Sequence, residues 1–282
     1  MTQARWVDAR SDALSILKNL CSRLGIPRER IFVVPGNHDY EWYSPDLHGA
    51  IARRALANKK ADDSAVTFDH VIHFQKFVEE LCGAGAARTG SVCPLELPHY
   101  TLKLGLLDSC RITPTLFHEY GYLSNAQIKE VMRGFQTAPA KREVRAIILH
   151  HHVNSIIPTE APAMELDVSV TLDAARLIDR ALATGISFIL HGHQHYPCIS
   201  KINKTHPDKA AVQQLAKNDI YVISAGSVGV KRDRRAEEAP NTYSLLSFGP
   251  ESADVNVRKI SSAGSDGGPY LNATIPLQVI QG

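Results

Sequence analysis

Apolar residues recur at helical spacing from Ser11 to Leu24, where Ala13, Leu14, Ile16, Leu17, Leu20, Cys21 and Leu24 share one face. Gly25-Ile26-Pro27 stops that pattern. Ile31-Phe32-Val33-Val34 is a β-branched and aromatic run closed by Pro35-Gly36, which predicts a buried strand. Residues 41–66 mix both signs of charge and predict a partly helical excursion over the surface. Phe68 to Leu81 predicts a second helix, ended by the glycines at 83 and 85. The Thr-Leu-Lys-Leu alternation from Thr101 makes Tyr100 to Asp108 a strand. Ser124 to Phe135 predicts a helix with Ser124 as its N-cap and Ile128, Val131, Met132 and Phe135 on its apolar face. Val144 to Leu149 is a buried strand. Thr171 to Leu182 predicts a helix capped by Thr171, with Asp173 in its first turn. Ile186 to Leu190, Ile220 to Ile223 and Thr242 to Phe248 complete the strands, and the Gly/Ser-rich stretch 261–268 reads as flexible. Strands alternating with helices define an α/β domain, and no internal repeat or linker interrupts it.

Composition narrows the function more than the fold. The chain has 282 residues and a formal charge of 31 − 29 = +2, with 44% apolar and 21% charged residues. These values exclude a disordered chain and fit one large domain or two small ones. Near-neutral charge gives no support for a nucleic-acid or polybasic membrane surface. No apolar run approaches the roughly 18 residues of a spanning helix, and Met1 to Ser15 lacks the apolar core of a signal peptide. The five cysteines show no C-x-x-C spacing and read as reduced thiols in the cytoplasm.

Chemistry concentrates behind three short strands. Val33-Val34 leads into Pro35-Gly36-Asn37-His38-Asp39. Ile147-Ile148-Leu149 leads into His150-His151-His152. Ile189-Leu190 leads into His191-Gly192-His193-Gln194-His195. Seven of the 13 histidines therefore sit at strand ends, where open α/β sheets bind their ligands. Neutral imidazole is a common ligand of zinc, iron, manganese or nickel. The glycine between His191 and His193 lets the backbone turn sharply there.

Gly36-Asn37-His38-Asp39, the strand before His150-His151, and Gly192-His193-Gln194-His195 resemble three signatures of the calcineurin-like metallophosphoesterases. The doubled histidine at 150 and 151 is similar to their cyclic-nucleotide phosphodiesterase-like branch. Leu107-Asp108-Ser109, Gly121-Tyr122-Leu123-Ser124 and Ser224-Ala225-Gly226-Ser227 resemble further segments, so the likeness spans about residues 10 to 250. It implies a β-sandwich flanked by helices in αββα layers, lacking its first strands. It also implies a catalytic domain over residues 1–260 and a C-terminal tail over 261–282. Two divalent metal ions (Mn, Fe, Zn, Co or Ni) are implied as cofactors. Asn37, His150 and His193 would bind one ion and His195 the other. His38 would protonate the leaving oxygen, and Asp39 would hold its tautomer. His151 and His191 would support the ligands from behind, and the register between His150 and His151 stays open by one. The implied reaction is hydrolysis of a phosphodiester or phosphomonoester by attack of a metal-bound hydroxide. Its substrate would be a phosphorylated small molecule or a nucleotide; the oligomeric state is not legible.

The family pattern opens with Asp-x-His and Gly-Asp motifs that supply the rest of the first metal site, and neither is found in its place in this chain. A start assigned downstream of those motifs is the expectation, with an incomplete first site in the chain as it stands. The alternative is a catalytically inactive relative acting as a binding module. Gly226-Ser227-Val228-Gly229 lacks the G-x-S-x-G of a nucleophile elbow, and there is no P-loop. The basic run Lys231 to Arg235 reads as a solvated loop close to the site.

Overall fold

A computed structural model describes residues 3–37, 39, 69–83, 85–110, 120–137, 142–155, 170–203, 219–230 and 239–281. Helix α1 spans Gln3–Leu24 and α2 spans Asp69–Cys82. Strands β1 (Val92–Glu96) and β2 (Thr101–Leu106) form a hairpin, followed by helix α3 (Asn125–Phe135) and strand β3 (Arg142–Ile148). Helix α4 (Ala174–Thr184), β4 (Phe188–His191), β5 (Pro197–Ile202) and β6 (Ile220–Ala225) come next. The chain closes with β7 (Thr242–Phe248), β8 (Ser252–Ile260), β9 (Asp266–Pro276) and the short β10 (Ile280–Gln281).

Ten strands make two sheets among the described residues. The larger runs β1-β2-β3-β4-β6-β5, with β10 paired to β3; the smaller runs β7-β8-β9. In the larger sheet β2, β3, β4 and β6 are parallel, so their carboxyl ends share one edge. The side-chain period of two decides what each face meets. Val144, Ala146, Phe188 and Ile223 face the smaller sheet and pack with Ala253, Val255, Val257 and Ile275 of that sheet. Ile147, Ile189 and Val222 point the other way, onto Ile128, Val131, Phe135, Leu177 and Ala181 of α3 and α4. The result is a mixed α/β sandwich with flanking helices. Each fully buried Phe, Leu or Ile in it contributes about 1.5–3 kcal/mol of transfer free energy. Beneath this core Glu143 is buried against Lys103 (2.7 Å) and Arg145, which also donates to Thr184 O.

Several sequence expectations meet a different outcome. Ile31 is extended, but Ile31 to Val34 joins no ladder among the described residues. Its alternation still operates: Phe32 packs into the sandwich core, while Ile31 and Val33 pack against α1 and α2. The apolar face of α1 is divided, because Leu14 and Leu17 meet α2 while Ile16, Leu20 and Leu24 stay exposed. Helix α4 starts at Ala174, with Asp173 rather than Thr171 at the N-cap. The Asp173 carboxylate makes no cap bond; it accepts the Leu123 N–H at 3.0 Å and ties the two helix entrances together. The stretch 261–282, expected as a tail opening on a flexible segment, supplies β9 and β10. Residues 41–66 and the basic run 231–235 lie outside the described residues.

Ser124 caps α3 as its sequence predicts, accepting the Gln127 N–H at 3.3 Å, and does so with φ at +69°. Ser124→Ala should cost about 1 kcal/mol in urea unfolding. Ser124→Gly should cost less, because glycine relaxes the left-handed backbone. Equal losses would show that the hydroxyl cap contributes little. No helix among the described residues is long and apolar enough to cross a membrane. All five cysteines are unpaired.

Candidate metal centre

Parallel pairing of β3 with β4 carries the site. The ladder continues past both strands, through Leu149 N–H to Leu190 O (3.1 Å) and Gly192 N–H to His150 O (3.0 Å). Those bonds set the His150 to His152 loop beside the His191 to His195 loop. Gly36 then brings Asn37 in from the 31–34 segment. A Cβ on Gly36 would lie 3.0 Å from His150 Cε1, so glycine is what allows the backbone to lie against that ring. The Asp39 carboxylate accepts the Gly36 N–H at 2.7 Å and closes this turn.

Three donor atoms converge. His150 Nε2 lies 3.1 Å from Asn37 Oδ1 and 3.1 Å from His193 Nδ1. Asn37 and His193 are buried, and His150 is half-buried. Asn37 Oδ1 can only accept, and each neutral imidazole offers one lone pair. A single proton, on His150 Nε2 or on His193 Nδ1 according to the tautomer, can serve only one of these two contacts and leaves the other a meeting of lone pairs. A cation satisfies all three at once. Four ligands at about 2.0–2.1 Å from a zinc-sized ion stand roughly 3.3 Å apart, close to the spacings observed. Oxygen plus imidazole nitrogen suits Mn, Fe, Zn, Co or Ni, and the residues present fit such an ion.

Five histidine rings crowd this corner. His151 and His193 have centroids 4.4 Å apart, His150 and His193 4.9 Å, His150 and His151 5.0 Å, and His152 and His191 6.0 Å. Burial, reinforced by the neighbouring rings, holds His151 well below the usual histidine range. Burial likewise pulls His191 down to about 4, partly opposed by its hydrogen bond to Gly192 O. His151 and His191 are therefore neutral at pH 7, and neutral is the state in which imidazole binds metal. A ring nitrogen from each of His150, His151 and His193 falls within one 4.8 Å group.

The sequence-predicted residues divide as follows. Asn37, His150 and His193 are brought together. His195 is half-buried two residues beyond His193 and stands outside the histidine group. His38 lies outside the described residues, and Asp39 is exposed. The sharp turn expected at Gly192 falls instead on its neighbours: His193 (φ +76°) and His195 (φ +56°) hold left-handed backbone. That costs roughly 1–2 kcal/mol per residue and is the kind of strain that concentrates at functional sites.

Two supports were not singled out as site residues. Gln127 is buried; it donates to Asp108 O (2.9 Å) and Leu123 O (2.7 Å) and accepts the Asp108 N–H (2.7 Å). It thereby fixes the strand end that carries Ser109. Gly121 leaves room for His151, whose Cβ would be 2.7 Å from a Cβ at that glycine. A glutamine on an apolar helix face was the available signal for the first; nothing local marks the second.

A histidine-rich centre at the carboxyl edge of an α/β sandwich is thus the class of site the chain contains. No family model and no curated protein matches the sequence. Among solved structures it is similar to a purple acid phosphatase, PPD1, from yellow lupin (Lupinus luteus) seeds, at 13% identity and a TM-score of 0.42. That match covers 70% of this chain and only 36% of the lupin chain. It is also similar to a Vps29 single mutant (D62A) from Entamoeba histolytica, at 10% identity and a TM-score of 0.26, covering 73% and 77%.

Proposed function

We propose that the protein is a metal-dependent phosphohydrolase that adds water to a phosphodiester or phosphomonoester and releases the alcohol. The observation that carries this reading is the meeting of Asn37 Oδ1, His150 Nε2 and His193 Nδ1 at 3.1 Å spacings. These residues would hold one divalent cation, and His195 would serve a second. When bound, such ions supply Lewis acidity toward the phosphoryl oxygens and lower the pKa of water. His38 follows Asn37 in the chain and is assigned proton delivery to the leaving oxygen, with Asp39 orienting it. The substrate is taken to be a phosphorylated small molecule or nucleotide. The five unpaired thiols support a cytoplasmic setting.

The test is hydrolysis of bis(p-nitrophenyl) phosphate and p-nitrophenyl phosphate by protein supplied with Mn²⁺. Wild type should release nitrophenolate from at least one. His193→Ala should lose at least about 100-fold, in line with removing an electrostatic or metal-site group. His38→Ala should lose about 10²–10⁴-fold. Metal-loaded wild type that hydrolyses neither ester would move the protein to the binding-module reading.

A further inference from the structure

The reading above leaves Ser109 and His151 unused, although both are wholly buried beside the centre. Ser109 Oγ lies 2.9 Å from His151 Nδ1 and accepts the His151 backbone N–H at 3.1 Å. Among the described residues its hydroxyl proton has no acceptor other than that Nδ1. Cys110 Sγ, 3.9 Å from the same nitrogen, directs its own proton to Pro35 O at 3.4 Å and so does not compete. The hydroxyl therefore donates to Nδ1. A neutral imidazole carries one proton, which must then sit on Nε2. His151 Nε2 is buried and has no hydrogen-bond partner among the described residues. Gly121 lies close behind the base of the ring: a Cβ there would stand 2.7 Å from His151 Cβ and 2.8 Å from Cγ. Its nearest ring is that of His193, at 4.4 Å between centroids.

We infer that His151 is an oxyanion donor, its Nε2–H held ready for an anionic oxygen of a phosphate group bound at the Asn37–His150–His193 centre. The inference rests on the metal-centre reading and adds a residue to it. It also separates two adjacent histidines by chemistry. His150 presents a nitrogen to the donor cluster, whereas Ser109 commits His151 to donating. A buried N–H of this kind is costly while unpaired and strong when it meets a charged oxygen.

Two measurements decide it. Long-range ¹H–¹⁵N NMR of the metal-free protein should show His151 as the Nε2–H tautomer near neutral pH; an Nδ1–H tautomer overturns the inference. Calorimetry should then compare Mn²⁺ binding with binding of inorganic phosphate to the Mn²⁺-loaded protein. His151→Phe should weaken phosphate about 10- to 100-fold while changing Mn²⁺ affinity by less than about threefold, as expected for a residue that is not a ligand. His151→Gln, which restores an amide donor, should recover most of the phosphate affinity. Loss of Mn²⁺ by both variants would make His151 a ligand instead, and unchanged phosphate binding in His151→Phe would remove the donor role. Wild type that binds no Mn²⁺ sinks the metal-centre reading separately, and the tautomer still decides the Ser109–His151 pair.

Discussion

With chelator present, the folded protein should lose about 3 kcal/mol of stability as pH falls from 6.5 to 4, from His191 alone. In the unfolded chain this ring protonates near its ordinary value of 6.5, whereas in the fold it waits until about 4. Between those limits the unfolded state binds more protons, so acid favours it. The contribution is complete above pH 6.5 and gone below about 4. Burial of the ring is the main cause. His151 acts in the same direction, because burial also depresses it. Urea midpoints across this range should therefore fall steeply. His191→Gln should flatten the slope. A wild-type curve that is level from pH 7 to 4.5 would contradict a neutral buried cluster.

Divalent cation should act the opposite way. At about 1,000 times its dissociation constant, a ligand that binds only the folded state adds about 4 kcal/mol. For a chain of this size that raises the melting midpoint by roughly 10 °C. The gain should shrink as pH falls through the range in which the histidines begin to protonate, since protons and metal compete for the same nitrogens. His150→Ala should remove the metal-dependent shift, because His150 Nε2 is the atom common to both 3.1 Å contacts. The same variant should retain a cooperative transition, for His150 is only half-buried and lies outside the hydrophobic core. An equal metal shift in wild type and variant would place the ion elsewhere.

The parallel core was legible because its strands are nearly continuous apolar runs: Val144 to Leu149, broken only by Arg145, and Ile220 to Ile223 announce themselves by β-branched content. The helices α3 and α4 were legible from 3.6-residue periodicity. What escaped has separate physical causes. Strands β1 and β5 each carry a proline, Pro94 and Pro197, which argues against a strand unless it lies at an edge, and both are edges. Strand β8 did carry a signal, since buried Ala253, Val255 and Val257 alternate with Asp254, Asn256 and Arg258. Strand β9 hid behind Gly267, Gly268 and Pro269. For Ile31 to Val34 the alternation was real but pairing depends on a neighbour, which a local pattern does not contain. At the site, residue types at strand ends located Asn37, His150 and His193. Their 3.1 Å convergence, and the Ser109 hydroxyl that distinguishes His151 from His150, come from contacts between segments more than 40 positions apart.

Calorimetric titration of Mn²⁺ into metal-free protein at pH 7 tests the central claim most directly, run on wild type and on Asn37→Ala, His150→Ala and His193→Ala. Wild type should take up at least one equivalent, and each substitution should weaken that event by about 100-fold or more, the loss of one ligand from a three-ligand set. Wild type without binding, or variants that bind as wild type does, would contradict a cation held by Asn37, His150 and His193.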